Sequence, residues 1–131
     1  AILLEKIKLF PEEIEMREKV ARRYNEALGR SNRIRTPRVI EGAQSTWAQY
    51  VLQVPNRDKL IGDLKAKGVP TAVYYPIPLS QQKGYKHFPS APTPVSEKIS
   101  KTVVALPMHP YLDEATQDKI IAAVLESVGG A

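Results

Sequence analysis

The chain has 131 residues, enough for about one domain around a single hydrophobic core. It contains no cysteine, which excludes disulfide bridges, thiolate metal sites and a thiol nucleophile and agrees with a cytoplasmic protein. Nineteen basic and fourteen acidic residues give a net charge of +5, a modest excess that attracts anions without specifying one kind of partner. No apolar run has the length of a membrane span or the form of a signal peptide, so we expect neither.

The N-terminal region has apolar residues at helical spacing from Ile2 onward, without a capping residue ahead of them. This pattern resembles a helix cut in its middle and predicts that the segment comes from a longer polypeptide. Pro11 predicts a kink or restart near Phe10, followed by a second helix that Gly29 ends. The buried stripe of that second helix is predicted to contain Ile14, Ala21, Tyr24 and Leu28.

The middle of the chain predicts one strand and one helix. Residues 47–54 are rich in β-forming side chains, and Pro55 ends this strand. Asn56 is a capping residue for the helix that follows, and Gly68 closes that helix. Its inward face is predicted to contain Leu60, Ile61 and Leu64.

A second predicted strand, residues 71–75, leads into a proline-rich stretch. Residues 76–94 contain five prolines and predict a long irregular connection, of the kind that often carries function. Thr93 then predicts the hydroxyl cap of a short helix that ends near Lys101.

The last predicted elements are a short strand at Val103–Leu106 and a helix capped by Asp113. Gly129 and Gly130 are predicted to end this helix, and its inward face to contain Ile120, Ile121, Val124, Leu125 and Val128. The order of elements indicates an α/β (α+β) fold, in which helices cover one side of a small three- to four-stranded sheet.

The stretch T-A-V-Y-Y-P-I-P-L-S places two tyrosines at the end of a predicted strand. Side chains alternate across a strand, so Tyr74 and Tyr75 are predicted to point to opposite faces. Tyrosine pairs of this kind are more often packing residues than ligand contacts. The prolines that follow favour a ligand contact here, because they hold the phenols at the strand end.

Other chemical motifs are weak. His87 and His109 are far apart in sequence and lack the spacing of metal ligands, so we expect no metal site. His109 follows a predicted strand, where either a packed imidazole or a site-lining group is consistent with the sequence. The seven glycines form no phosphate-binding loop.

Several segments of the chain together resemble one protein family. The segment G-V-P-T-A-V-Y-Y-P-I-P-L-S-Q-Q-K-G-Y and the later A-L-P-M-H-P-Y-L and D-E-A-T-Q-D-K-I-I-A-A-V resemble the C-terminal part of the DegT/DnrJ/StrS sugar-nucleotide aminotransferases. The opening A-I-L-L-E-K-I and the strand at residues 46–54 also fit this family. Within it, the chain is most similar to enzymes that aminate C3 of a UDP-linked acetamido-uronic acid on the way to surface polysaccharides such as lipopolysaccharide O-antigen.

The resemblance implies the small domain, residues 1–131, of a fold-type-I transaminase that depends on pyridoxal phosphate. Such enzymes use glutamate as amino donor, a keto-sugar nucleotide as acceptor, and a homodimeric assembly. The Schiff-base lysine and the cofactor-binding residues belong to a large N-terminal domain, and their motifs are not found in this segment. The segment alone is therefore expected to be inactive and to close one wall of the active site.

The resemblance also implies which residues contact the substrate. The family pattern V-H-Y-P falls on residues 73–76, which places Tyr74 and Tyr75 against the substrate. Its P-L-H falls on residues 78–80, where Ser80 replaces a histidine and cannot carry a positive charge. His109 is a further substrate-binding candidate.

A competing hypothesis from the residues alone is a free-standing ferredoxin-like module that binds a ligand or RNA. It would use the basic excess for phosphates and the strand tyrosines as a stacking platform. The chain lacks the aromatic pattern that RNA-binding domains carry on two neighbouring strands, and its cations are not concentrated near the tyrosines. We therefore expect no nucleic-acid partner and no membrane partner.

Overall fold

A computed structural model describes residues 2–129 of the chain. Its regular elements in chain order are helix α1, strand β1, helix α2, a 3₁₀ turn, helix α3, strand β2 and helix α4. Their bounds are Ile2–Leu28, Tyr50–Gln53, Arg57–Ala66, Leu79–Gln81, Pro94–Ile99, Val103–Leu106 and Glu114–Gly129. Gly130, predicted to help end the last helix, lies outside the described residues.

Helix α1 is one continuous helix of 27 residues with Pro11 inside it, so the predicted restart near Phe10 is wrong. Proline removes one N–H from the helix and leaves the carbonyl of Ile7 without its usual partner. This stretch lies on the surface, where water can hydrate that carbonyl, and the helix persists. Ile14, predicted to be buried, is only half-buried, whereas Ala21 and the rest of the predicted stripe are buried.

Within residues 2–129 the sheet has two strands, not the predicted three or four. β1 and β2 pair antiparallel, with Tyr50 opposite Leu106 and Gln53 opposite Val103. The predicted strand at residues 47–54 begins late because Trp47 adopts a left-handed backbone conformation with φ of 47°. The strand predicted at Val103–Leu106 is confirmed.

Residues 71–75 do not form the predicted strand. Ala72 makes the only bridge in this stretch, donating to and accepting from Ala105 at 3.2 and 2.7 Å. Pro70 and Pro76 bracket the stretch, and proline cannot donate to a sheet ladder, so the pairing cannot extend at those positions. The predicted alternation of Tyr74 and Tyr75 across a sheet is lost with the strand.

The core lies where α1, α2 and α4 meet the buried residues of the two strands. Tyr24 of α1 packs against Tyr50 of β1 with ring centroids 4.8 Å apart, so the C-terminal half of α1 is held to the sheet. Gln117 of α4 is almost fully buried and donates to the Val20 carbonyl of α1 at 2.8 Å. Buried polar groups that are paired in this way fix how neighbouring helices are aligned.

The helix ends follow the sequence only in part. Asp113 accepts a hydrogen bond from the Thr116 N–H at 2.9 Å, which confirms the predicted cap of α4. Asn56 and Thr93 occupy the predicted cap positions of α2 and α3, but their side chains make no capping hydrogen bond. Leu125, predicted to face inward, is exposed because it lies on the outer side of α4.

Candidate functional site

A groove of about 820 Å³ lies beside the proline-rich connection. Its walls come from the segment after the Ala72 bridge, from the irregular stretch that follows the 3₁₀ turn, and from α3 with the first residue of β2. These segments form only short local structure, because proline has no backbone N–H to donate. The prolines in question are Pro76, Pro78, Pro89 and Pro92. The prolines therefore keep this stretch out of the sheet and leave its side chains facing the groove.

Tyr74 and Tyr75 both line the groove, and Tyr74 also lines a second cavity beside Ala72 and Ala105. Their ring centroids are 6.1 Å apart in an edge-to-face arrangement with 73° between the planes. Tyr74 is 44% exposed and Tyr75 is 71% exposed, so both phenols are accessible to a ligand. An exposed aromatic pair of this kind provides contact area and phenol hydroxyls for a ligand.

Ser80 lines the same groove as the two tyrosines. Its hydroxyl lies 3.5 Å from the hydroxyl of Thr93, which belongs to the segment that starts α3. This contact joins two walls of the groove across the loop. The serine is neutral, and its short side chain provides one hydroxyl group that can donate or accept a hydrogen bond.

His109 does not join this group. It is exposed, lies after β2, and is absent from the lining of the groove. Its backbone carbonyl accepts a hydrogen bond from the Leu112 N–H at 3.3 Å, so the residue forms part of the turn before α4. The structure thus brings together three of the four predicted site residues and leaves the fourth apart.

Two aromatic residues that the sequence motifs did not single out also line the groove. Tyr85 and Phe88 have ring centroids 6.5 Å apart and are 51% and 59% exposed. Their spacing of three residues in a polar stretch, Q-K-G-Y-K-H-F, was the signal available in the sequence. Nothing local to that stretch predicted that it would fold back beside Tyr74.

The third wall is fixed by a partly buried arginine. Arg57 at the start of α2 donates from Nη1 to the Ser100 carbonyl at 2.7 Å, with its side chain only 13% exposed. The Ser100 hydroxyl in turn donates to the Glu97 carbonyl at 3.0 Å. These bonds attach the end of α3 to α2, so the groove has one rigid side and two irregular ones.

The interior of the groove is uncharged. Among the described residues that line it there is no lysine, arginine, histidine, aspartate or glutamate. Its polar groups are phenols, serine and threonine hydroxyls and one glutamine amide. Such a surface suits a neutral, flat or hydroxylated ligand better than a bare carboxylate or phosphate.

The fold of this chain matches part of the fold of solved aminotransferases. The chain belongs to the DegT/DnrJ/EryC1/StrS aminotransferase family, whose pattern matches residues 1–125. A structure of a DegT DnrJ EryC1 StrS aminotransferase from Brucella abortus superimposes with a TM-score of 0.91 at 46% identity, covering 97% of this chain and 34% of that one.

This chain likewise covers only part of the length of two curated relatives. A UDP-2-acetamido-2-deoxy-3-oxo-D-glucuronate aminotransferase from Pseudomonas aeruginosa is 46% identical over 95% of this chain and 34% of its own length. A UDP-N-acetyl-3-dehydro-alpha-D-glucosamine 3-aminotransferase from Acidithiobacillus ferrooxidans is 32% identical over 74% of this chain and 26% of its own length. The chain thus spans about a third of the length of the relatives it matches.

The groove does not fit pyridoxal phosphate by itself. Holding that cofactor requires a lysine amine, a partner for the pyridinium nitrogen and donors or cations for the phosphate. The uncharged lining provides no amine or counter-charge. Among residues 2–129, no set of three or more histidine or acidic side chains could hold a metal ion, and no helix is long and apolar enough to cross a membrane.

Proposed function

We propose that this chain is the C-terminal small domain of a longer pyridoxal-phosphate-dependent aminotransferase that acts on a UDP-linked keto-sugar. The observation that carries the proposal is the family match over residues 1–125 together with one groove that collects Tyr74, Tyr75 and Ser80. The identity of 46% to a UDP-3-oxo-glucuronate aminotransferase supports the choice of a UDP-linked substrate. The cofactor and its lysine would belong to the rest of the polypeptide.

The exposed part of α1 supports a domain that packs against further protein. Leu3 is 81% exposed, Ile7 is 65% exposed and Phe10 is 47% exposed, although the same helix is fully buried at Tyr24 and Leu28. Exposing three large apolar side chains in one region is unfavourable unless something covers them. A large domain placed against this half of α1 would cover them.

The groove would form the sugar-nucleotide side of the active site. The hydroxyls of Tyr74, Tyr75 and Ser80 can donate to or accept from sugar hydroxyls, and the two rings can pack against the apolar face of a pyranose. We retain His109 as a more distant substrate-binding candidate, since it lies outside the groove. Glutamate as amino donor, a homodimer, a cytoplasmic location and a role in surface polysaccharide formation complete the proposal.

The RNA-binding alternative has lost its structural basis. That hypothesis requires aromatic side chains on neighbouring strands of one sheet. Tyr74 and Tyr75 lie outside both β1 and β2, so no stacking platform of that kind is present among the described residues.

The test begins with the gene that encodes the chain. We expect the coding region upstream to specify a domain with the cofactor lysine, and the complete protein to transfer ¹⁵N from glutamate to a UDP-linked 3-keto-sugar, measured by mass spectrometry. Tyr75→Phe should raise the KM for the sugar nucleotide severalfold and leave the KM for glutamate unchanged, because only one sugar contact is lost.

The matched control is Tyr111→Phe, which removes an exposed phenol hydroxyl outside the groove. Equal KM values for the sugar in the two variants would contradict a role for Tyr75 in substrate binding. A gene that encodes no upstream lysine-bearing domain would contradict the whole proposal.

A further inference from the structure

Helix α3 forms one wall of the groove but contributes no buried side chain to the core. It covers six described residues, Pro94–Ile99, and none of them is buried. A helix of this length is not stable on its own in water, because few hydrogen bonds offset the cost of its nucleation. Contacts at its ends must therefore set its position.

The C-terminal end of α3 receives one such contact from Arg57 on α2. Ser100 follows α3 and is 7% exposed, and its carbonyl is one of the end-of-helix acceptors that need a partner. Arg57 Nη1 donates to that carbonyl at 2.7 Å, and Nε of the same guanidinium donates to Asp58 at 2.8 Å. The planar fork of arginine makes both bonds at once. Because Leu60 and Leu64 anchor α2 in the core, Arg57 holds the end of α3 to a rigid element.

The end of α3 that Arg57 holds is also the end that lines the groove. Ile99 and Ser100 belong to the lining, whereas Arg57 does not. At the other end of α3, the Thr93 hydroxyl lies 3.5 Å from the hydroxyl of Ser80. A shift of α3 would therefore change the groove at both places, although Arg57 itself meets no ligand there.

We propose that Arg57 is a positioning residue for substrate binding, which acts through α3 by holding that wall in place. The inference rests on the proposed function for the identity of the ligand and goes beyond it by giving a role to a residue outside the groove. Arg57 affects the affinity for the sugar nucleotide and not for glutamate. Glutamate fits the groove poorly, because its carboxylates would find no cation among the lining residues.

The experiment uses the complete protein and Arg57→Met. The KM for a UDP-linked 3-keto-sugar should rise about 2- to 30-fold, the range for residues that act on a site without touching its ligand. The kcat and the KM for glutamate should change much less. Hydrogen exchange, followed by mass spectrometry, should be faster in residues 95–102, where Ser100 and Thr102 donate their N–H groups to carbonyls of α3.

The matched control is Arg23→Met. Arg23 also donates to a backbone carbonyl and a carboxylate, those of Glu114 at 2.9 Å and Asp118 at 2.7 Å, but it joins α1 to α4. Its loss should leave the KM for the sugar and the exchange of residues 95–102 unchanged. Arg57→Lys is a second variant that keeps a charged donor without the fork, and its KM should lie between those of the wild type and Arg57→Met.

Unchanged exchange of residues 95–102 in Arg57→Met would overturn the inference, because α3 would then be held by other contacts. Faster exchange with an unchanged KM would overturn it too, since Arg57 would then support only the fold. An equal rise of the KM in Arg23→Met would also contradict it. Circular dichroism checks folding, and Arg57→Lys decides by the same criteria if Arg57→Met does not fold.

Failure of the proposed function gives a different result. If the wild-type protein transfers no amino group, the proposed reaction falls, and UDP affinity measured by titration calorimetry replaces the KM. Weaker UDP binding in Arg57→Met but not in Arg23→Met would then keep the positioning role, and unchanged or absent UDP binding would overturn it. If amino transfer proceeds with the same KM in the Arg57 variants, the reaction stands and the role of Arg57 falls.

Discussion

The buried tyrosines show how single residues connect the core. Tyr24 and Tyr50 are fully buried, and their hydroxyls donate to the Pro107 carbonyl at 3.1 Å and to Asn25 Oδ1 at 2.7 Å. Burial raises the pKa of both phenols well above the ordinary value, because a phenolate would be desolvated there. Both tyrosines therefore stay neutral donors across the physiological pH range.

Tyr24→Phe tests how much one such hydrogen bond contributes to the free energy of unfolding. The variant should lose about 1 kcal/mol of unfolding free energy, because the hydroxyl disappears and the Pro107 carbonyl loses its partner. Urea denaturation measures the change. Tyr111→Phe is the control, since that hydroxyl bonds to Glu13 at an exposed site and its loss should have little effect. Equal stability losses in the two variants would show that burial does not set the value of the bond.

The aspartate that caps α4 predicts that the free energy of unfolding depends on pH. Hydrogen bonding from the Thr116 backbone N–H lowers the pKa of Asp113. A lowered pKa means that this carboxylate stabilises the fold above its unfolded-state pKa of about 3.9, and that the stabilisation is lost as pH falls through the folded value. Asp113→Asn keeps a capping oxygen but does not titrate, so its unfolding free energy should fall less between pH 6 and pH 3. Identical pH profiles in urea denaturation would refute a contribution from Asp113.

At the scale of elements, replacing two glycines by alanine is predicted to change the free energy of unfolding in opposite directions. Gly29 follows α1, and a Cβ placed there would lie 2.5 Å from the Asn25 carbonyl oxygen. Gly62 lies inside α2 and has no heavy atom within 4 Å of such a Cβ. The close approach explains why α1 ends at glycine, as the sequence predicted.

Gly62→Ala should raise the unfolding free energy by about 0.5–1 kcal/mol, because alanine loses less backbone entropy in a helix. Gly29→Ala should lower it, because the backbone must move to relieve the contact. Thermal denaturation of the two variants measures both changes in stability. A stabilised Gly29→Ala variant would show that the helix end adapts without cost.

Helix α1 has an apolar seam that continues beyond the folded core. Positions along this seam are spaced alternately four and three residues apart, a repeat that keeps them on one face of a helix. The seam consists of Leu3, Ile7, Phe10, Ile14, Arg17, Ala21, Tyr24 and Leu28, with Arg17 as its one charged position. Its last three residues are buried and its first three are exposed, so the same face changes environment within one helix.

At the scale of the whole molecule, this exposed seam predicts self-association of the isolated chain. Replacing Leu3, Ile7 and Phe10 together by glutamine should reduce association, because three large apolar side chains leave the surface. The unfolding free energy should change little, since these residues are already exposed. Analytical ultracentrifugation measures the first effect and urea denaturation the second.

The control for that variant replaces Lys6 and Lys8 by glutamine on the same exposed stretch. It changes charge without removing apolar area. Unchanged association in the apolar variant, or equal loss of association in the charge control, would contradict the seam as the cause.

Sequence reasoning located most elements because their signals are local. The apolar face of α2, with Leu60 and Leu64, and the strand at Val103–Leu106 were predicted from patterns a few residues long. Residues 71–75 carried equally good β-forming side chains but form only one bridge. Strand formation needs a partner with free donors at the right place, and propensity cannot report that.

The candidate site was likewise predicted only in part from the sequence. The motif T-A-V-Y-Y-P-I-P-L-S predicted exposed phenols and a family, and the family is confirmed over residues 1–125. His109 was chosen from the same resemblance and lies outside the groove. Tyr85 and Phe88 were missed, because their place in the groove depends on how the proline-rich connection folds back.

The sequence by itself determined the glycine that follows α1, the cap at Asp113 and the motif that identifies the family. These features depend on backbone geometry and side-chain chemistry within a few residues. Only the tertiary structure decided which half of α1 is covered and which aromatic side chains share one groove. Those outcomes depend on contacts between residues distant in the chain, whose free energy comes from packing and cannot be read from any local pattern.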